Sequence, residues 1–332
     1  MTRFSLAASL LALLAFENVV ADGDDQSSDA WNYLTVNLPT PLSDMSVVQL
    51  SEGEKKRIVI TGGCDHPDGN VFVDAFGGIF ECPSLSNKAY FFDPIHPHSQ
   101  FQAWNGEFEA LTDMPRKRAR HASAVVSGRV CVFGGRNESD ALIAEVDCYD
   151  PESKQWTTPT ILPADIQSSD WTAYATETDQ VYLIGGYTTD YIALDTTTKV
   201  DMSDFDAIAY SDGPALRGER GDIDVAVIGT DVYVSGGFTH ENNYTSPLNT
   251  VERYDAATGE WSEVDSLNQE RGDKQLVALN GRVYALGGEA KVDVTGVPSD
   301  ELPHIGGMSV VLDSVEVLDP SEDVHAGLAQ WR

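Results

Sequence analysis

Three triplets recur at one spacing. Arg118-Ala119-Arg120, Arg220-Gly221-Asp222 and Arg271-Gly272-Asp273 each begin 16 residues before the first glycine of a Gly-Gly pair, at Gly134, Gly236 and Gly287. A guanidinium offers a planar fork of donors that matches a carboxylate. Arg118, Arg120, Arg220 and Arg271 are therefore candidates for holding an anionic ligand, such as an acidic peptide or a sugar acid, with Asp222 and Asp273 beside them. Before Gly185 the same position holds Ser169, followed by Asp170 and Trp171, so the arginine is missing there and Trp171 joins the candidate set. The alternative is local pairing of these arginines with Glu219, Asp222, Glu270 and Asp273. Two of the triplets read Arg-Gly-Asp, and a shared repeat position explains both more economically than an adhesion signal.

Other chemistry is sparse. The histidines are His66, His96, His98, His121, His240, His304 and His325. His96-Pro97-His98 has a spacing that could place two rings on one metal, and a solvent-exposed proline loop is the competing reading. Cys64-Asp65-His66 with Asp68 is equally ambiguous. The acidic clusters Asp22-Gly23-Asp24-Asp25 and Asp201, Asp204, Asp206 offer hard oxygen ligands of the kind calcium takes, but no twelve-residue calcium loop is present. No nucleophile–base constellation with defined spacing stands out. No metal and no cofactor is assigned.

The charge balance narrows the partners. Lys+Arg number 21 against Asp+Glu 53, a net charge of −32. Phosphate backbones and anionic lipid surfaces both demand clustered Lys and Arg, so neither nucleic acid nor membrane is an expected partner. Hydrophobic residues at 42% supply a core.

The first residues read as an export signal. Arg3 precedes an apolar run from Phe4 to Phe16, and Val19 and Ala21 fit the small-residue rule before a cut after Ala21. Glu17 ends the run at 13 residues, short of the ~18 that a membrane span needs. Residues 1–21 are the expected signal peptide, 22–30 an acidic segment and 31–332 the folded part. Asn137-Glu138-Ser139 and Asn243-Tyr244-Thr245 are acceptor sequons for N-glycans. Cys64, Cys82, Cys131 and Cys148 are an even set that suits an oxidising compartment, with three possible pairings and free thiols as the alternative. A secreted, monomeric glycoprotein is the expectation.

The elements that position these residues follow from an internal repeat. Five Gly-Gly pairs each close a short apolar strand: Arg57–Gly63, Arg129–Gly135, Gln180–Gly186, Asp231–Gly237 and Arg282–Gly288. The pairs are Gly62-Gly63, Gly134-Gly135, Gly185-Gly186, Gly236-Gly237 and Gly287-Gly288, and their second glycines are spaced 72, 51, 51 and 51 residues apart. A second strand ends in Phe92-Asp93, Tyr149-Asp150, Leu194-Asp195, Tyr254-Asp255 or Leu318-Asp319, and Trp104, Trp156, Trp261 or Trp331 follows. Trp31 stands 32 residues before Gly63, in the same register. The third unit has Asp201 where a Trp is expected, with Phe205 as a substitute.

These units resemble kelch repeats, whose period is about 50 residues. The resemblance implies an all-β, kelch-type β-propeller of four-stranded blades, with five recognisable blades, either a five-bladed ring or a truncated six-bladed one, the latter slightly preferred. It places the Arg-containing links at the mouth of the central channel, where Arg118, Arg120, Arg220 and Arg271 would form a cationic ring. The insertion after Gly63 holds both Cys64 and Cys82, and Cys131 and Cys148 fall on neighbouring strands of blade two, so Cys64–Cys82 and Cys131–Cys148 are the expected pairs. The expected role is a binding scaffold for protein or glycan. Some kelch proteins are copper-radical sugar oxidases or sialic-acid epimerases, so the alternative is a carbohydrate-directed enzyme with its site in the central channel.

Overall fold

The computed structural model describes residues 37–53, 55–66, 71–73, 79–95, 105–242, 247–256, 258–291 and 309–320. The expected signal peptide and acidic segment, Trp31, Trp104, Trp331, His96, His98, His304, His325 and the Asn243 sequon lie outside them. The described residues form antiparallel sheets. Blade one is Ser46–Glu52, Lys55–Thr61, Ala89–Ile95 and Asn105–Ala110. Blade two is Ala122–Val126, Arg129–Phe133, Glu145–Asp150 and Gln155–Ile161. Blade three is Thr172–Ala175, Gln180–Ile184, Thr197–Asp201 and Ala209–Asp212, and blade four Asp224–Ile228, Asp231–Ser235, Val251–Asp255 and Glu260–Val264. Blade five shows Gln275–Leu279, Arg282–Leu286 and Val315–Leu318.

The first strands of blades one to five contact one another in succession, so they surround the axis. This is the propeller that the repeat implies, with five blades; a sixth has no strands among the described residues. Aspartates of blades one and five feel each other's charge across the axis. The long insertions of blades one and five each hold a two-stranded hairpin, Val71–Val73 with Ile79–Glu81 and Glu289–Lys291 with Ser309–Val311.

A blade is apolar on both faces and buries them only against its neighbours. Separate apolar clusters fill the layers between consecutive blades: Val59, Phe91, Val130 and Tyr149 between one and two, Phe133, Cys148, Leu183 and Val200 between two and three, Ile184, Leu216, Val234 and Trp261 between three and four, and Tyr233, Val251, Leu276 and Val283 between four and five. Cys131 and Cys148 face each other in register on adjacent strands and form a disulfide in one of these layers, and Cys64 is bonded to Cys82.

The diglycines are the joints of this packing. Gly134 and Gly135 have φ of 60° and 83°. A Cβ on Gly134 would sit 2.4 Å from the Ser168 carbonyl oxygen, and one on Gly135 would sit 2.4 Å from that of Ala119. Only glycine admits both the left-handed backbone and the close approach of two linking segments.

Strand register corrects the sequence reading in two blades. The residue four before the first glycine pairs with Phe92, Tyr149, Val200, Tyr254 and Leu318 in blades one to five. In blade three the strand-ending pair is therefore Val200-Asp201; Leu194 instead lies in the preceding loop, its N–H bonded to Gly186 O. The tryptophan slot pairs with these residues in turn: Trp156 opposite Tyr149 and Trp261 opposite Tyr254. In blade three Tyr210 fills it and in blade one Phe108 does, so neither Phe205 nor Trp104 is the equivalent. Trp156 and Trp261 donate their indole N–H groups to Thr112 O and Pro214 O in the links before their blades, an apolar body with a satisfied polar tip.

Candidate functional site

Each blade's link into its first strand approaches the carbonyl of a diglycine, and this fixes where the candidate arginines point. Arg118, Arg220 and Arg271 turn into their own blades and are almost wholly buried. Arg118 Nη1 donates to Gly134 O at 2.9 Å, Arg220 Nη1 to Gly236 O at 3.3 Å and Arg271 Nη1 to Gly287 O at 2.8 Å. Their Nη2 atoms bind Asp147, Glu252 and Glu316 at 2.5, 2.7 and 2.7 Å. Burial lowers the Arg118 pKa to about 10 against the pull of Asp147, and lowers that of Arg220 against Glu252. The second carboxylate oxygens of Glu252 and Glu316 accept link N–H groups, from Arg217 and Asn268. These arginines are internal struts, and a cationic ring built from them does not form. Their partners are third-strand carboxylates rather than the adjacent Glu219, Asp222, Glu270 or Asp273.

A signal for the strut was present in the sequence. The partner carboxylate stands two residues before Tyr149, Tyr254 or Leu318, only in the blades that carry the arginine. At the paired positions blade three has Ser168 with Thr198 and blade one has Leu42 with Tyr90. Ser168, not Ser169, is the equivalent of Arg118, because the carbonyls of Arg118, Ser168, Arg220 and Arg271 each accept the N–H of the preceding blade's second glycine. Blade three is one residue longer between link and diglycine, which displaced the count from sequence.

The residue two beyond the strut faces the axis. Asp44, Arg120, Asp170, Asp222 and Asp273 occupy this place in the five blades, all with left-handed φ between 49° and 57°. Their backbones are chained across the blades: Arg120 N–H donates to Asp44 O at 3.0 Å, Asp170 to Arg120 at 2.9 Å, Asp222 to Asp170 at 2.9 Å and Asp273 to Asp222 at 3.3 Å. Aspartate tolerates this conformation better than most residues. Thus the structure brings together Arg120, Asp222 and Asp273 from the candidate set, and adds Asp44 and Asp170. Trp171 sits behind the ring, buried, with its indole donating to Phe133 O at 3.2 Å and its ring against Gly134.

A second layer rises around the ring. The residues after the diglycines of blades two to five are Arg136, Tyr187, Phe238 and Glu289, each bridged to the link beside the ring. Tyr187 Oη donates to Asp222 Oδ2 at 2.8 Å, and Tyr191 Oη to Asp140 Oδ1 at 2.8 Å. Arg120 Nη1 donates to Tyr191 Oη at 3.3 Å, and Arg136 lies over the Tyr191 ring at 3.7 Å. Arg136 Nη2 also donates to Thr188 O. Sequence reasoning missed this layer, although each residue immediately follows a repeat glycine.

The ring holds four carboxylates and one guanidinium. Burial would lower the Arg120 pKa, but Asp170 and Asp44 outweigh it and hold the group well above its ordinary value. Burial raises Asp170, and burial with the charges of Asp273 and Asp170 raises Asp222 well above the carboxylate range. Desolvation among the packed links, then the charges of Glu289, Asp44 and Asp170, push Asp273 up to about 8 against the pull of Arg120. Asp273 is nevertheless exposed to solvent. Such a site holds hydrogen-bond donors and cations and repels carboxylates.

The remaining candidates are placed elsewhere. Cys64 is in its disulfide, Asp65 accepts from Ser84, and buried His121 binds Thr61. Asp201 and Asp204 accept from the backbone two residues on, capping a turn. Among the described residues no group of three or more His, Cys, Asp or Glu side chains is arranged to hold a metal ion. Asn137 is exposed in the loop after the blade-two diglycine, on the same face as the ring, with its Oδ1 accepting from Ser139 and Ala141 N–H.

Comparison with known proteins agrees with the architecture. The family model described as the attractin/LZTR1 β-propeller matches residues 76–301. Alpha-scruin of Limulus polyphemus is 28% identical over 58% of this chain and 21% of its own length, and kelch-like protein 40 of Xenopus laevis is 24% identical over 58% of this chain and 30% of its own. The chain thus spans less than a third of either relative. The solved structure of YjhT covers 92% of this chain and is covered over 89% of its own, with a TM-score of 0.64 and 13% identity, a likeness of fold.

Proposed function

The chain belongs to the attractin/LZTR1 β-propeller family, and from that premise we propose that it is a protein-binding scaffold whose partner docks on the face bearing the diglycine loops. The observation that carries this is the division of labour in the blades. The arginine struts and apolar layers are consumed inside the ring, while Arg120, Tyr191, Asp273 and the post-glycine loops are held on one rigid face. Loops on a rigid scaffold are where recognition concentrates. Kelch propellers among the relatives suit a scaffold role, and the hydroxyl that lies beside an imidazole in blade one, Thr61 Oγ1 at 2.9 Å from His121 Nε2, is buried away from the mouth.

A protein partner fits this mouth better than a glycan. Sugar rings stack on open aromatic faces, and one face of Tyr191 is already covered by Arg136. The two disulfides and the export signal favour an oxidising, secretory setting, in which Asn137 carries a glycan at the rim. That setting is read from production in a secretory cell: the chain in the medium, shortened by glycosidase in the wild type and not in Asn137→Gln, supports it, and retention inside the cell refutes it.

Docking is tested by crosslinking the secreted protein to its interactors, with wild type compared against Tyr191→Ala plus Asp273→Lys. A partner crosslinked by the wild type at the diglycine-loop face and lost in the variant, at unchanged melting temperature, supports the reading. Crosslinks confined to the opposite face, or retained in the variant, refute it.

A further inference from the structure

We infer that the carboxylate ring of Asp44, Asp170, Asp222 and Asp273 is a cation site that seats the ammonium group of a lysine side chain from the docked partner. The inference rests on the docking face proposed above and names the chemistry of what enters it.

Two observations beyond the acidic cluster point to a ligand. The first is Asp170. Its side chain is 94% buried (6% exposed), its Oδ1 lies 3.6 Å from Arg120 Nε, and its Oδ2 has no hydrogen-bond partner among the described residues. A buried carboxylate oxygen is normally paired, and this one belongs to a residue whose backbone is bonded into the ring between Arg120 and Asp222. The second is Asp273, which is exposed and whose carboxylate accepts no hydrogen bond among the described residues, leaving an acceptor open at the rim. The ring's own cation does not complete the set. Arg120 is committed to Asp44, Asp170 and Tyr191.

The shape of the demand selects the cation. Carboxylates that converge from several blades onto a tight, backbone-bonded ring require donors pointing in several directions. An ammonium is a compact charge with three such donors, whereas a guanidinium is a flat fork suited to one carboxylate. Asp170 Oδ2 and the Asp273 carboxylate would each accept one N–H, and ionised acids favour the bond.

The groups facing Asp273 set how binding responds to pH. They are Glu289 of its own blade, Asp222 on the neighbouring link, Tyr187 that donates to Asp222, Asp44 and Asp170 of other blades, Arg120, and Lys274 beside it. Lys274 is buried, its Nζ has no hydrogen-bond partner among the described residues, and burial lowers its pKa to about 8. The ring gains negative charge as Asp273 ionises, so an ammonium binds better as pH rises toward 8.5 and worse as it falls.

The test uses Nα-acetyl-lysine N-methylamide as probe, titrated into the full chain and followed by NMR chemical shifts, with the norleucine and arginine analogues as controls. Saturable binding of the lysine probe is expected at pH 8.5, weakening about tenfold per pH unit below 8 as one carboxylate protonates. Asp222→Asn plus Asp273→Asn should lose at least tenfold in affinity while keeping a melting temperature no lower than wild type. Equal binding of the norleucine analogue, tighter binding of the arginine analogue, displacement by calcium at lower concentration than by the lysine probe, or no saturation at all would each overturn the inference. The probe reads the ring alone. Its failure leaves a partner that still crosslinks to the mouth unexplained by lysine, and its success with crosslinks on another face sinks the docking proposal instead.

Discussion

Glu252→Ala should be among the most damaging single substitutions in blade four. It leaves the Arg220 guanidinium buried with its Nη2 stripped of the carboxylate at 2.7 Å, and it orphans the Arg217 N–H that donates to Glu252 Oε2 at 2.7 Å. Both side chains are nearly inaccessible, 3% and 0% exposed, so water cannot replace what is lost. Breaking a buried pair from one side costs about 3–5 kcal/mol. Blade three supplies the control, since Ser168 and Thr198 occupy the same two places without charge. The double variant Arg220→Ser plus Glu252→Thr removes the stranded cation along with its partner and should recover about 2 kcal/mol or more relative to the sum of the singles. Equilibrium urea unfolding with the disulfides intact reads both quantities. A loss below about 1 kcal/mol for Glu252→Ala, or additive behaviour of the pair, would refute the strut and return Arg220 to the list of ligand-binding residues.

Stability should rise as pH falls from about 8.5 toward 5. Asp222 and Asp273 have folded pKa values above the ordinary carboxylate value of about 3.9, so the folded state holds more protons in that window and loses stability as pH rises through about 8. Asp150, held low by the Glu152 N–H, and Asp201, held low by Ser203, act in the opposite sense below the ordinary carboxylate range. Buried His121 and Lys274, both held below their ordinary values by desolvation, oppose the trend below about 6.5 and above about 8 respectively, without outweighing the two carboxylates between those limits. Asp273→Asn should flatten the melting-temperature profile between pH 6 and 9, and an unchanged slope would contradict the ring electrostatics. Gly134→Ala should cost well over the ~1 kcal/mol of Gly128→Ala, because both have positive φ but only Gly134 meets a carbonyl oxygen and the Trp171 ring; equal losses would show that the close approach is relieved. Cys131→Ala plus Cys148→Ala should lower stability by about 2–4 kcal/mol, and the native protein should resist reductant until it unfolds, since both cysteines are fully buried.

The sequence by itself determined the repeat, and with it the propeller and both disulfides. Gly-Gly pairs that close an apolar strand are a local requirement: each must adopt left-handed backbone at a place where two links meet, so their type and spacing survive as a pattern along the chain. Cys131 and Cys148 were legible for the same reason, being opposite each other in one hairpin. What an arginine touches is not local. Arg118, Arg220 and Arg271 look like a basic column along the chain, and only the packing of each link on its own third strand turns them inward to Asp147, Glu252 and Glu316. The same packing lifts the residue two positions on to the axis, so the mouth belongs to Asp44, Asp170, Asp222 and Asp273 with one arginine among them. A single extra residue in blade three hid Asp170 from the count. The sign of the mouth's charge is set by which way neighbouring side chains turn from a shared backbone, and burial in the assembled ring decides that.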